Sequence, residues 1–498
     1  MTRTIRTLCS LLVALAVALP AAAQPGSLKL PPYKKVVLKN GMTLLLMEQH
    51  EVPLVSFSAL LRAGSVSDPA GKEGLASLAA ALLRKGTATR SADDFSAQLD
   101  FIGGSFGAGA SADSTAVSAE FMKKDLAKGL ELVSDVLLHP SFPADEVKKL
   151  VAQRVDGIKS AKDRAAGVLP QYFNAYLYGK HQYGRPTGGD ETSLASITRD
   201  DVAKFYETNY TPGGTVMAVV GDFTTAEMEK QLTAVFGPWP AKTAPAVAVG
   251  DAPAVQGRKL LLIDKPDSTQ TYFRIGNIGI ARSNPDRVLV EIVNTLFGGR
   301  FTSMINSELR IKSGLTYGAG SGFVEWKAKG PFYINSYTRN ASTEKALDLT
   351  LEVLKRLHEK GISEEDLKSA KAYLKGQFPP DIETSSQLAG VLAELVINGL
   401  DEREIDTYYA KIDAATMAEV TRVIKQYFPL DNLVFVLIGK ASRSRPSRRS
   451  TRRRWIGSPS ARWDSRRHLK GLGIRDWRRI PPQQAAYRPA GRQQGHPC

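Results

Sequence analysis

Cysteine and histidine are scarce in this sequence, and that scarcity excludes several kinds of site. The 498 residues include two cysteines, Cys9 and Cys498. Cys9 lies in an N-terminal stretch that is predicted below to be removed, so the mature chain would have no partner for an intrachain disulfide. Of the six histidines, His50, His139 and His358 are isolated, and none forms a pair at the helical spacing that metal sites use.

Long apolar runs are also missing beyond the N-terminus. No segment after residue 23 has 18 consecutive apolar residues, which is the length that a membrane-spanning helix needs. Residues 1–23 have the features of a secretory signal instead, with Arg3 and Arg6 before the apolar stretch Leu8–Leu19 and small residues at 21–23. We therefore predict a cleaved signal peptide, residues 1–23, and an exported protein in the periplasm.

The formal net charge of +16 is concentrated at one end of the chain. Residues 441–498 contain fifteen Arg and one Lys against two Asp, which gives this segment a charge of +14. The rest of the chain carries about +2, so its charge indicates no nucleic-acid partner.

The Arg-rich segment 441–498 has no apolar period and holds three of the five tryptophans. Three interpretations stay open. It is a natural tail for nucleic acid or another anionic surface, a plain disordered tail, or the product of a reading-frame shift in GC-rich coding sequence. We predict no packed structure in it under any of them.

A weak internal repeat relates the two halves of the chain at an offset of about 216–218 residues. Leu44–Met47 corresponds to Leu260–Ile263, and the apolar run Thr215–Gly221 corresponds to Leu433–Gly439. Each late run follows a helix for which Thr198 or Thr416 is the predicted N-cap. Chance similarity between two halves of the same class is the alternative to a true duplication.

Strand and helix patterns alternate in both halves, which indicates an α+β fold. We predict two homologous domains, each a mainly antiparallel sheet with helices on one face. Their predicted bounds are residues 28–237 and 258–440. A linker rich in Pro, Ala and Gly joins them at residues 238–257.

Residues 74–87 read GLASLAAALLRKGT. This segment closely resembles the zinc-binding segment of pitrilysin/insulinase-type metallopeptidases, in which two histidines and a glutamate form the inverted zinc motif. Ser77 and Ala81 stand at the histidine positions and Ala80 at the glutamate position. A catalytic zinc needs three protein ligands and a base for its water, and these residues supply neither. We therefore predict no metal and no cofactor in this chain.

The resemblance also implies a third ligand position, normally a glutamate, on the helix predicted for residues 144–160. Gly157 is its best match, with one residue of uncertainty.

A second segment carries chemistry of another kind. Residues 309–317 read LRIKSGLTY, and the pattern predicts that a helix over 302–311 ends at Gly314 before a strand begins near 315. Arg310 and Tyr317 could then share one cleft, where a guanidinium and a phenol can hold a peptide carbonyl or its developing oxyanion. An arginine complementing a helix dipole and a tyrosine packing on a strand are the ordinary alternatives.

Residues 294–317 resemble the C-terminal half of the same family, where an Arg/Tyr pair completes the site opposite the zinc. The resemblance spans roughly residues 33–440 and implies that the two domains are arranged like a clam shell around a chamber. It implies a non-catalytic, substrate-binding subunit of a heteromeric zinc metallopeptidase, whose partner is a zinc-bearing homologue and whose substrates are peptides. The alternative is a non-enzymatic peptide-binding or scaffold protein of the cell envelope.

Overall fold

The computed structural model describes residues 29–243 and 245–440. The predicted signal peptide and the Arg-rich tail lie outside these residues. Eleven strands are described: β1 Lys34–Val37, β2 Thr43–Glu48, β3 Leu54–Leu61, β4 Ser105–Ala110, β5 Thr115–Met122, β6 Thr215–Gly221, β7 Lys259–Asp264, β8 Gln270–Ile278, β9 Ala319–Phe323, β10 Pro331–Arg339 and β11 Val434–Gly439.

Sixteen α-helices connect the strands in the described residues. They are α1 Leu75–Leu82, α2 Ala92–Phe101, α3 Leu126–Leu138, α4 Ala144–Ala161, α5 Ala165–Tyr178, α6 Glu191–Ser196, α7 Arg199–Asn209, α8 Thr225–Phe236, α9 Arg287–Asn294, α10 Met304–Asn306, α11 Thr343–Lys360, α12 Glu364–Gln377, α13 Ser385–Ile397, α14 Arg403–Asp406, α15 Tyr408–Ala414 and α16 Met417–Tyr427. Two π-helical turns, Thr295–Gly299 and Ser307–Lys312, lie on either side of α10.

The strands form two sheets whose order repeats. The first sheet runs β1-β2-β6-β3-β5-β4, and the second runs β7-β11-β8-β10-β9. Without β1, the two orders are the same, and in each sheet a single parallel pair, β2 with β6 or β7 with β11, stands among antiparallel pairs. The α+β class with two mixed, mostly antiparallel sheets is therefore confirmed, and the repeat seen in the sequence appears as repeated topology.

The helix before the last strand of each half begins as its sequence indicates. Thr198 and Thr416 each accept a hydrogen bond from the backbone three residues on, and an acidic side chain returns the bond to the cap residue. This reciprocal arrangement satisfies donors that a helix start leaves unpaired. Both predicted N-caps are confirmed.

Each sheet buries one face beneath helices of its own half. In the first half the core includes Phe57, Phe121 and Val219 from the strands with Leu78 and Leu82 from α1. In the second half Phe273, Phe332 and Leu437 pack against α9, α11 and α16.

The other face of each sheet is covered by a helix that belongs to the opposite half. Helix α5 packs Val168, Leu169 and Phe173 against Val434 and Val436 of β11. Helix α13, which belongs to the second half, packs on β3 and β6 of the first sheet. The sequence prediction gave each sheet helices on one face, and this exchange adds a second layer that the local pattern does not specify. The halves are thus joined through two apolar clusters.

A polar and aromatic contact closes one side of this junction. The Tyr183 hydroxyl donates to Asp113 at 2.8 Å and accepts from the backbone N–H of Ala328 at 3.0 Å. Trp326 lies against Tyr183, with ring centroids 4.4 Å apart. The loop that carries Trp326 and Ala328, in the second half, is thereby fixed to the first half.

One helical run of the described residues, Arg287–Lys312, is long and apolar enough to cross a membrane by length and composition. Half of its apolar window is buried inside the protein, as in a core helix.

We predict that Phe173→Ala destabilises the protein by about 3–5 kcal/mol, because a fully buried ring would leave a cavity between the halves. The ring reaches β8 where Gly276 has no side chain, since a Cβ there would lie 3.0 Å from Phe173 Cζ. Phe101→Ala, at a ring that is 92% exposed, is the matched control and should change stability by under about 0.5 kcal/mol. Urea denaturation measures both, and equal effects of the two substitutions would contradict the buried contact.

Candidate functional site

The helix that carries the degenerate motif, α1, is held in place at its start by a buried carboxylate. Asp68 accepts hydrogen bonds from the backbone N–H groups of Gly74 and Ala76, both at 2.8 Å. Gly74 has φ +96°, and a Cβ there would come within 2.9 Å of the backbone at Gly188 and Gly189, so only glycine fits. The family frame around the motif therefore keeps its structural purpose.

Helix α1 turns its apolar side into the first core and its degenerate positions partly outward. Leu75, Leu78 and Leu82 are buried, whereas Ser77 and Ala81, one turn apart, are half-buried. Positions i and i+4 share a helix face, as two metal-binding histidines would. Ala80 is buried beside them. The geometry for a paired ligand set is present, but the ligand side chains are absent.

An arginine on the neighbouring helix α4 contacts the first of these positions. Arg154 donates from Nη1 to Ser77 Oγ at 2.8 Å and from Nη2 to the Ser77 carbonyl at 3.1 Å. Burial lowers the pKa of this guanidinium from its ordinary value, although arginine stays charged at neutral pH. Sequence reasoning missed Arg154 because no motif marks it. Its position on the helix expected to carry the third ligand was the available signal.

Gly157, the position matched to the third ligand, lies about one turn beyond Arg154 on α4. It is exposed, and a Cβ built on it meets no heavy atom within 4 Å. Its role in the family's ligand set stays a prediction. The contact to α1 comes from Arg154.

The residues present do not fit a zinc ion. No group of three or more His, Cys, Asp or Glu side chains in the described part of the chain is arranged to hold a metal. The hydroxyl of Ser77 is engaged by a guanidinium, and a second positive charge beside it would be repelled. This site can therefore bind an anion or a carbonyl oxygen, but it cannot activate water as a zinc site does.

The second candidate site lies where the π-helical turn Ser307–Lys312 passes into β9. The sequence predicted a regular helix over 302–311, but the helix begins at Met304 after Ser303 and then widens into the π turn. The strand begins at Ala319 rather than near 315. Gly314 has φ +59°, as predicted for a left-handed end residue.

Arg310 and Tyr317 each carry a side-chain polar group that forms no hydrogen bond or ion pair within the described residues. The Arg310 guanidinium lies 4.8 Å from the centre of the Phe301 ring, and among the described residues it has no carboxylate partner. Glu308, two residues away, is already occupied by Lys312 at 3.0 Å and Arg356 at 2.9 Å. Tyr317 is 79% exposed, and its hydroxyl makes no hydrogen bond within the part that the structure describes.

The loop that carries Tyr317 is nevertheless fixed on both sides. The backbone N–H of Leu315 donates to the carbonyl of Leu309 at 2.9 Å, and Thr338 Oγ1 donates to the carbonyl of Leu315 at 2.7 Å. Ser336 Oγ donates to the carbonyl of Gly318 at 2.9 Å. An exposed tyrosine on a fixed loop can contact a ligand at low cost in conformational entropy.

Phe301 is a further residue of this site that sequence reasoning missed. It is 62% exposed, and its ring stacks under the guanidinium of Arg310. A cation over an aromatic face at this distance is attracted by the ring quadrupole. The sequence marks Phe301 only weakly, as an aromatic residue two positions after the pair Gly298-Gly299.

Two family profiles match the chain and together cover well over half of it. "Insulinase (Peptidase family M16)" matches residues 44–191, and "Peptidase M16 inactive domain" matches residues 196–374. The chain therefore belongs to peptidase family M16, as its resemblance to pitrilysin/insulinase-type enzymes implied.

Curated relatives are similar over most of their length. An "uncharacterized zinc protease" of Mycobacterium leprae is 26% identical over 79% of this chain and 88% of that protein. Another, YmxG of Bacillus subtilis, is 24% identical over 80% of this chain and 96% of that protein.

Two solved structures share the fold. The peptidase M16 inactive domain from Pseudomonas fluorescens is similar with a TM-score of 0.79 and 27% identity, over 83% of this chain and 99% of that chain. A protease from Helicobacter pylori is similar with a TM-score of 0.75 and 23% identity, over 82% of this chain and 100% of that one. The second likeness concerns the fold alone.

Burial raises the pKa of Asp68 to about 7, against the hydrogen bonds from Ala76 and Gly74, which lower it. Because the folded pKa exceeds the unfolded value of 3.8, protonation stabilises the folded state below about pH 4. That contribution is lost as the pH rises through 7.

We therefore predict that the stability advantage of the wild type over Asp68→Asn shrinks between pH 5 and pH 7, by up to about 1.4 kcal/mol per pH unit. Urea denaturation at several pH values measures this difference. A difference that stays constant over this range would contradict the raised pKa.

Proposed function

We propose that this chain is the non-catalytic, substrate-binding subunit of a heteromeric, exported zinc metallopeptidase. Its partner is a zinc-bearing homologue, and its substrates are peptides. Arg310 and Tyr317 bind the peptide near the bond that the partner cleaves.

The observation that carries this proposal is the contrast between the two candidate sites. The metal positions of α1 hold Ser77, Ala80 and Ala81, and Arg154 donates a hydrogen bond to Ser77 beside them. The second half instead offers a guanidinium and a phenol that form no hydrogen bond or ion pair within the described residues, although the guanidinium lies over the Phe301 ring. A binding group left unpaired on a fixed loop is available to a ligand, whereas a structural one would already be satisfied.

The chemistry assigned to the pair follows from its groups. In the partner, zinc would supply an activated water for attack on the peptide carbonyl. The Arg310 guanidinium and the Tyr317 hydroxyl would donate hydrogen bonds to the carbonyl oxygen, and these bonds strengthen as negative charge develops on it.

The names of the relatives support a role in peptide hydrolysis. Similar proteins are called zinc proteases, and one similar structure is called an inactive M16 domain. Because this chain lacks the zinc ligands of the family, cleavage of a peptide bound to it needs a zinc ion that another chain holds. Export to the periplasm rests on the predicted signal at residues 1–23.

We predict that Arg310→Ala lowers the peptide turnover of the two-chain complex by roughly 100-fold, because an oxyanion donor is removed. Tyr317→Phe should lower it in the same direction, since it removes only the hydroxyl. The assay mixes the purified chain with a zinc-bearing homologue from the same organism and follows cleavage of a quenched fluorescent peptide.

Lys312→Ala is the matched control for this assay. Lys312 lies on the same turn but is paired with Glu308, so its removal should leave turnover within about twofold of the wild type. Full activity of Arg310→Ala, or activity of the partner that does not depend on this chain, would contradict the proposal. Peptide binding without any partner-dependent cleavage would favour the scaffold alternative.

Phe301→Ala should weaken the same activity by a smaller factor, about 3- to 5-fold. The ring positions the Arg310 guanidinium through a cation–π contact worth about 0.5–1 kcal/mol at an exposed site. Phe301→Tyr retains the aromatic face and should restore turnover. Equal losses in Phe301→Ala and Phe301→Tyr would show that the stacked ring is not what positions Arg310.

A further inference from the structure

The degenerate metal site contains a positive charge that is carried by the guanidinium of Arg154 and not by a metal ion. Arg154 is half-buried against α1, where its guanidinium binds only the hydroxyl and the carbonyl of Ser77. Both are neutral acceptors. Among the described residues, no carboxylate forms an ion pair with Arg154.

Several other half-buried arginines in the described residues have a counter-charge or an aromatic ring beside them. Arg90 pairs with Asp135 at 2.6 Å, and Arg287 pairs with Glu404 at 3.2 Å. Arg274 lies 4.1 Å from the centre of the Tyr333 ring. Arg154 has neither a carboxylate nor a ring. Because burying a charge without a counter-charge is costly, such a group marks a place where a ligand of opposite charge is favoured.

The guanidinium also has unused hydrogen-bonding capacity. An arginine carries five N–H donors in a planar fork, and Ser77 uses two of them. The surroundings leave room for a ligand. Ser77 and Ala81 are half-buried, and Gly157 is exposed with open space where a side chain would stand.

We propose that Arg154, anchored by Ser77, is a binding site for a carboxylate of the bound peptide. The site takes over the place where zinc-bearing relatives would hold their cation. A carboxylate matches the planar fork and accepts two parallel hydrogen bonds, which a carbonyl oxygen cannot do. This proposal rests on the proposed function in one respect, that the chain binds peptides.

Direct binding to the purified chain tests the proposal without any partner. The probes are four fluorescein-labelled dodecapeptides of one sequence, with an internal Glu or Gln and with a free or an amidated C-terminus. Fluorescence anisotropy gives each dissociation constant. We expect the carboxylate-bearing peptides to bind at least about tenfold more tightly than the peptide that has neither carboxylate. The ranking of the other three identifies whether the C-terminus or the Glu side chain is bound.

Arg154→Gln should abolish this preference, while Arg154→Lys, which keeps the charge but loses the fork, should retain part of it. Arg199→Gln on α7 is the matched control for the loss of one arginine. Its guanidinium donates to the carbonyls of Ser141 and Phe142 and is also paired with Asp200 at 3.5 Å, so it offers no uncompensated charge. Thermal melts of each variant establish that it is folded.

A preference that persists in Arg154→Gln would overturn the proposal, as would equal affinity of wild type for all four peptides or no binding up to about 1 mM. These outcomes are separate from those of the two-chain assay. Partner-dependent cleavage that needs Arg310 but not Arg154 would leave the proposed function standing and remove only this site.

Discussion

The hydrogen bonds from Arg154 to Ser77 determine what the degenerate motif on α1 can bind. They place a guanidinium between α1 and α4, beside the positions that the resemblance assigns to metal ligands. A metal ion there would be repelled by the charge of the guanidinium, in addition to lacking histidine ligands. The helix itself is preserved, with its buried face, its glycine entry and the Asp68 bonds at its start. The start of α1 is therefore well fixed, and the polar groups at its degenerate positions are the Ser77 hydroxyl and the Arg154 guanidinium.

The exchange of α5 and α13 keeps the packing between the two halves separate from both candidate sites. Each sheet depends on a helix from the opposite half to cover its second face. The halves are therefore joined by apolar burial, which is the dominant favourable contribution to folding. This packing does not involve Ser77, Ala81, Arg310 or Tyr317. Substitution at either candidate site can then alter binding without loosening the junction between the halves.

Sequence reasoning predicted the repeated α+β halves because alternating apolar runs and capping residues are local signals, as at Thr198 and Thr416. The sequence does not show that α5 and α13 each cover the sheet of the opposite half. The apolar face of α5 has the same pattern whichever sheet it packs against. The same limit applied to the sites. Ser77, Ala80 and Ala81 could be placed on one helix from a short motif, but Arg154 meets Ser77 across 77 residues of sequence. At Ser307–Lys312 the sequence predicts a regular helix, whereas the structure has a π turn. The sequence does not distinguish the two, because the residues of this turn are compatible with an ordinary helix.

If this chain binds the peptide for a zinc-bearing partner, the exposed phenol at 317 lies against that peptide during cleavage. Photo-crosslinking tests this most directly, with benzoylphenylalanine at position 317 in the assembled complex and a labelled peptide that is cleaved slowly. The account predicts a crosslink within about two residues of the cleaved bond. Crosslinks that are absent, or that fall only far from that bond, would contradict it.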